Sequence, residues 1–407
     1  MDRKRPRIVP RRAINWERPD RDSREEALLA TAHRWDTGSL LDLFLDAGEY
    51  SPRVGREHSV LSRVFNSRRL ERIRDGFFSH PSSLAAWIDD RDRNQHPRPY
   101  NGLVTQPQFR RIALDTKRFS EAGLVNVDTR RIYITNPSAD ELGILALSSP
   151  DGLYEINRTF MFKYLTGDTS IGASLTCMPL HFVLEFHIPY YVWRNGTPRL
   201  DCRMTTSAES IRKSHELSFL STPGLKIDEP DHLHQAQTSI CLAGWNTSTW
   251  VATCLVDTYY DEDDPNNESM LRFYELVDSD PDCQSVSMDA LSLGTKTADR
   301  AMINEAREYF FVIVKVHMEK ISGEWYHIQF QLTQRVYQNV SRLEFLSNLP
   351  NCLIRSCLKP WVLGLHASLM ITIAHAASRY SMNGIPEYHV IPHLRPASHL
   401  AFDHLNV

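Results

Sequence analysis

Two apolar-aromatic runs, EFHIPYYVWR at 185–194 and WVATCLVDTYYDEDD at 250–264, each end abruptly in charge. Runs rich in β-branched and aromatic residues read as strands, and the charges after the second stop further pairing. Two of them in one chain require a sheet, and a sheet needs helices or a second sheet to cover its faces. The first strand runs from Phe182 to Trp193, with Phe182, Leu184 and Phe186 facing one way. Pro189 interrupts it, which predicts an edge strand or a bend there. The second occupies 249–257 and joins a strand at 236–243 through GWNTS, a hairpin-like connection.

Other segments fill in the frame. Arg130–Thr135 reads as a short strand that ends at Asn136 and Pro137. Ser138 then caps a helix running to Ser148, with Glu141 three residues on. Ile156, Phe160 and Tyr164 keep helical spacing within 153–166. YFFVIVKVH at 309–317 is the most hydrophobic stretch and predicts a central strand buried on both faces. Helical periodicity from Glu324 to Phe345 then leads out of the domain.

Residues 1–25, rich in Arg and Pro, predict a disordered basic tail, because they bury too little to offset the entropy of ordering. A helical region follows, with Val60, Leu61, Val64, Phe65, Leu70, Ile73 and Phe77 on an apolar stripe. Arg63, Arg68, Arg69, Arg72 and Arg74 form a basic face that Glu57, Glu71 and Asp75 can pair. The Pro/Asn/Asp-rich stretch from Asp90 to Pro107 reads as a linker. The fold class is therefore α+β, a layered mixed sheet flanked by helices, with a helical N-terminal region. The boundaries are 1–25 for the tail, 26–100 for the helical region and linker, 101–345 for the α/β domain and 346–407 for a C-terminal tail.

The chain has 407 residues and a formal charge of −4, which favours no class of partner. Its seven cysteines include no CxxC pair and no zinc-finger spacing, so Cys241 and Cys254 read as buried small hydrophobes in a reducing compartment. With no apolar run behind the charged N-terminus, the expected location is cytoplasmic, with membrane association or the nucleus as alternatives.

No phosphate-binding glycine loop, nucleophile elbow or metalloprotease motif is present, and no catalytic residue is assigned. Asp261, Asp263 and Asp264, with Asp257 before them, offer hard oxygen atoms suited to Mg2+ or Ca2+, although such a run is more often a solvated loop. No other cofactor is expected. His232 and His234 could face a zinc ion, but a pair of surface histidines is the commoner use. Arg3, Lys4 and Arg5, with Arg68, Arg69 and Arg72, could meet nucleic acid or an anionic lipid surface, nucleic acid being the less favoured. Residues 361–377 form an apolar segment just long enough to span a membrane, with His366 and His375 inside it.

RIYITN at 131–136, HIPYYVWR at 187–194, the run from Trp250 to Tyr260 with its acidic tail, and REYFF at 307–311 together resemble fungal proteins related to the CorA-type magnesium channels. The likeness covers about 108–340. It implies a soluble α/β layer domain and a long helix that leads to membrane helices. A Gly-Met-Asn loop selects the ion in such channels, and Ser381, Met382 and Asn383 look like that loop with serine in place of glycine.

The expected role is a non-enzymatic regulatory or interaction protein with protein partners, able to form homo-oligomers or meet an anionic membrane surface. A divalent-cation transporter subunit is the first alternative, and a nuclear factor using the Arg-rich N-terminal region is the second.

Overall fold

The computed structural model describes residues 52–64, 66–119, 121–149, 154–177, 180–205, 208–217, 230–246, 248–261, 289–294 and 305–344. These lie in one compact unit. Helices α1 (Pro52–Leu61) and α2 (Ser67–Arg74) come first, followed by strands β1 (Leu84–Arg91) and β2 (Gly102–Thr105). Helix α3 (Gln106–Arg110), continued by a π-helical turn, leads to β3 (Thr129–Thr135), then α4 (Ala139–Leu147) and α5 (Tyr154–Thr166). Strands β4 (Ser170–Cys177), β5 (Leu180–Asn195), β6 (Ser214–Glu216), β7 (Asp231–Asn246) and β8 (Thr249–Val256) complete the sheet. A 3-10 turn at Ala290–Ser292 and helix α6 (Ala306–Glu344) end the described chain.

The eight strands form one mixed sheet in the order β2-β1-β3-β8-β7-β5-β4, with β6 added to β7. β3 and β8 run parallel at its centre, and the other pairs are antiparallel. Strand alternation divides the side chains between two layers. Ile88, Ile132, Ile134 and Leu255 join Leu70, Ile73, Leu142 and Phe160 in the main core, so helices α1 to α5 cover that face. Trp250 stacks on Tyr309 of α6 with centroids 5.1 Å apart, and Cys254 lies 3.7 Å from His317, so α6 covers the other.

Several local readings match these elements. Ser138 caps α4 through a reciprocal box with Glu141, and the strands at 236–243 and 249–257 lie within the hairpin β7–β8. Pro189 pairs with Gln237 of β7, but β4 reaches only as far as His187. At Pro189, therefore, β5 has become an edge on that side, where a missing N–H breaks no bond to β4.

Three readings are corrected. Residues 309–317 are the start of α6, not a central strand. Tyr309, Phe310, Ile313, Val314 and His317 are buried, whereas Phe311 is 46 % exposed. That is a helical period, masked in sequence because the outward positions Phe311, Val312 and Val316 are also apolar. The stretch 90–107 is not a linker but part of the sheet, holding the end of β1, the connection at 92–101, β2 and the start of α3. β1 and β2 pair from Leu84 with Thr105 to Ile88 with Gly102. Its turn is fixed by the buried Arg98, whose guanidinium donates to the carbonyls of Val125, Lys117 and Arg118 at 2.7–2.9 Å. Finally, Glu57 does not serve the basic face. It is buried and accepts from Arg158 Nε of α5 at 3.1 Å.

Candidate functional site: the aromatic face of the long helix and its buried anchor

The site is assembled outward from the carboxyl end of the parallel strand pair. Asp257 follows β8 and is fully buried, with both oxygens doubly engaged. Oδ1 accepts from Tyr164 Oη at 2.5 Å and lies 2.8 Å from Arg203 Nη1. Oδ2 accepts from Arg212 Nε at 2.5 Å and from the Gln237 backbone N–H at 2.8 Å. Burial alone would raise its pKa, but Arg203 and Arg212 outweigh that and hold the carboxyl below the usual carboxylate range. Arg203 also donates to Asp201 from Nε at 2.7 Å and from Nη2 at 2.8 Å. Two guanidiniums thus face two carboxylates, which is how four buried charges are tolerated. The cluster fastens the strap around 199–213 to α5 and to the end of β8.

From this base the network reaches α6. Tyr190 of β5 meets Tyr260 hydroxyl to hydroxyl at 2.9 Å, and Arg194 lies over the Tyr260 ring at 5.2 Å. Arg194 donates through Nη1 and Nη2 to the two carboxylate oxygens of Glu324, both at 3.1 Å, and through Nε to Asp261 at 2.7 Å. One helical stretch further on, Arg335 Nη2 pairs with Asp231 Oδ2 at 2.6 Å. Between these clamps Ile328 packs into a small cluster with Trp193 and Leu217, beside Tyr191, Leu233 and Leu332.

The clamps fix which side of α6 faces outward. Phe311, Lys315, Glu319, Ser322, Tyr326 and Phe330 recur at three- and four-residue steps and form one stripe. Tyr326 is 55 % exposed and Phe330 57 %. Trp325 stands beside them, edge-on to Tyr191 at 6.3 Å. Asp257, Asp201, Arg203, Arg212 and Arg194 are each held in structural ion pairs, so the arrangement positions this side of α6.

The structure treats the sequence-derived candidates unequally. Asp261 is tied to Arg194, while Asp263 and Asp264 lie outside the described residues. Asp257 stands apart as the hub of the buried cluster. Among the described residues, no group of three His, Cys, Asp or Glu is placed to hold a metal ion. His232 and His234 are not a surface pair. Both are buried, with rings 6.1 Å apart, and His234 Nδ1 meets Ser214 Oγ at 2.8 Å. Arg68, Arg69 and Arg72 are brought together around one cleft. Arg3, Lys4, Arg5, the apolar segment 361–377 and Ser381, Met382 and Asn383 lie outside the described residues. Among the described residues no helix is long and apolar enough to cross a membrane.

Asp201, Arg203 and Arg212 escape sequence reading because the strap inverts the usual alternation. Leu200 is 72 % exposed and Met204 53 %, while Asp201 and Arg203 between them are buried.

No family model, curated protein or solved structure matches the chain.

Proposed function

We propose that this protein is a non-enzymatic interaction module that joins a second copy of itself through the outer stripe of α6. The observation that carries the reading is the exposure of Phe311, Tyr326 and Phe330 on one side of a helix whose other side is clamped to the sheet. Aromatic side chains on a rigid support supply large contact area at little entropic cost, and they are enriched at protein interfaces.

A second copy suits the stripe because the stripe is self-complementary. An antiparallel pairing centred between Lys320 and Ile321 sets Phe311 against Phe330 and Lys315 against Tyr326. The first contact is aromatic on aromatic, and the second is a cation over a ring.

The test is the solution mass of the full chain by light scattering, beside the double variant Tyr326→Glu/Phe330→Glu. The native chain is expected at twice its 46.9 kDa, and the variant at the single mass with unchanged circular dichroism. A native chain that stays single at micromolar concentration overturns the reading.

A further inference from the structure

A different part of the molecule carries a second binding surface. Helix α2 is capped by Asn66, whose Oδ1 accepts from the Arg69 backbone N–H at 2.8 Å, and it packs beside the start of α4. A cleft of about 420 Å³ opens there, lined by Arg68, Arg69, Arg72, Phe77, Ser79 and Asp140. Arg69 donates through Nε to Asp140 at 2.7 Å, which fixes its guanidinium and leaves both Nη groups without a partner among the described residues. Arg68 and Arg72 are exposed, and neither has a carboxylate partner among the described residues. Three guanidiniums thus face one carboxylate, an excess of two positive charges around a cavity.

The lip of the cleft is equally specific. Gly76 adopts φ +84°, a left-handed turn that closes α2, and the Phe77 N–H returns to the Arg72 carbonyl at 2.8 Å. That turn leaves Phe77 64 % exposed beside the arginines. Guanidiniums match phosphate oxygens with paired donors, and a phosphomonoester carries close to two negative charges at neutral pH. An aromatic ring beside such a site can enter the boundary between headgroups and acyl chains.

We propose that this cleft binds a phosphomonoester, presented on the headgroup of an anionic phospholipid. The Arg68, Arg69 and Arg72 guanidiniums take the phosphate, and Phe77 enters the lipid surface beside it. A single small cleft with a carboxylate in its wall suits one phosphate group better than the repeating backbone of a nucleic acid, which calls for a basic groove with several stacking rings.

The test uses the full chain and phosphatidylcholine vesicles doped with a phosphatidylinositol monophosphate, compared with phosphatidylserine vesicles of matched charge. Soluble inositol phosphate is titrated separately by calorimetry. Preferential binding to the phosphoinositide vesicles is expected, falling at least about tenfold in Arg68→Gln/Arg72→Gln. Phe77→Ser should weaken vesicle binding and leave the soluble ester unaffected. Both substitutions alter exposed side chains, and an unchanged melting temperature confirms that the fold is intact. Binding of the soluble ester without vesicle binding keeps the phosphomonoester site and overturns the lipid source. Equal binding to both vesicle types with no effect of the arginine variant overturns the proposal, as does tighter binding of a DNA or RNA oligonucleotide.

Discussion

Arg212 Nε donates to Asp257 Oδ2 at 2.5 Å, which fastens a surface strap to the end of a central strand. Both partners are almost entirely buried, and Arg203 and Asp201 beside them complete a charge-balanced cluster. Breaking such a pair from one side leaves an uncompensated charge where water cannot reach it. Asp257→Asn is therefore expected to cost about 3–5 kcal/mol, read as a lower urea midpoint. The double variant Asp257→Leu/Arg212→Met should recover part of that loss, because the remaining pair is again balanced. Additive losses would show that the two residues are not coupled.

The helix at 306–344 is tested by two substitutions three residues apart. Val314 faces the sheet at 7 % exposure, whereas Phe311 faces outward. Val314→Asp should unfold the protein or cost more than about 3 kcal/mol, and Phe311→Asp, measured at concentrations low enough to keep the chain single, should stay within about 1 kcal/mol. Comparable losses from both would support a strand buried on both faces and contradict the helix.

Two glycines should respond in opposite directions. A Cβ on Gly244 would lie 2.5 Å from the Thr249 carbonyl oxygen and 2.9 Å from Trp250 Cα, so backbone must move. Gly244→Ala is expected to lower stability by about 1–3 kcal/mol. Gly323 lies in α6 with nothing within 4 Å of its added Cβ. Gly323→Ala should raise stability by about 1 kcal/mol through helix propensity. Thermal melts of the two variants check both directions.

Acid sensitivity should come from buried neutral histidine. His317 is fully buried, donating from Nε2 to the Leu291 carbonyl at 2.9 Å, and burial with Lys320 nearby pushes its pKa down to about 3. The unfolded chain takes up this proton near pH 6.5, and the folded chain only near pH 3. Stability is thus fully present above about pH 6.5 and falls through the interval below it, by about 1.4 kcal/mol per pH unit for this one residue. Burial also lowers the pKa of His187, which adds in the same direction. His317→Gln should flatten the slope of unfolding free energy between pH 6 and 4. An unchanged slope would remove His317 from the explanation.

Much of the scaffold was legible in the sequence because its signals are local. The Ser138–Glu141 box, the β7–β8 hairpin and the strand at 129–135 each depend on neighbours a few residues away. Features set by distant partners were not. Asp201 and Arg203 look like surface residues until Asp257 is brought against Arg203. Residues 309–317 are apolar on nearly every side, so their period appears only once the sheet selects the buried face. The basic cluster at 68–72 was visible as composition, but the cleft needs Asp140 from another helix, about seventy residues away in the chain.

The measurement that bears most directly on the interaction reading is photo-cross-linking of the full chain with a photoreactive phenylalanine analogue at position 330. An antiparallel pairing of two α6 helices places that side chain beside Phe311 of the second copy. The expected product is a dimer whose cross-linked peptide contains Phe311, lost when Tyr326→Glu is introduced. Cross-links confined to a single chain, or dimers joined near position 330 of both copies, would contradict it.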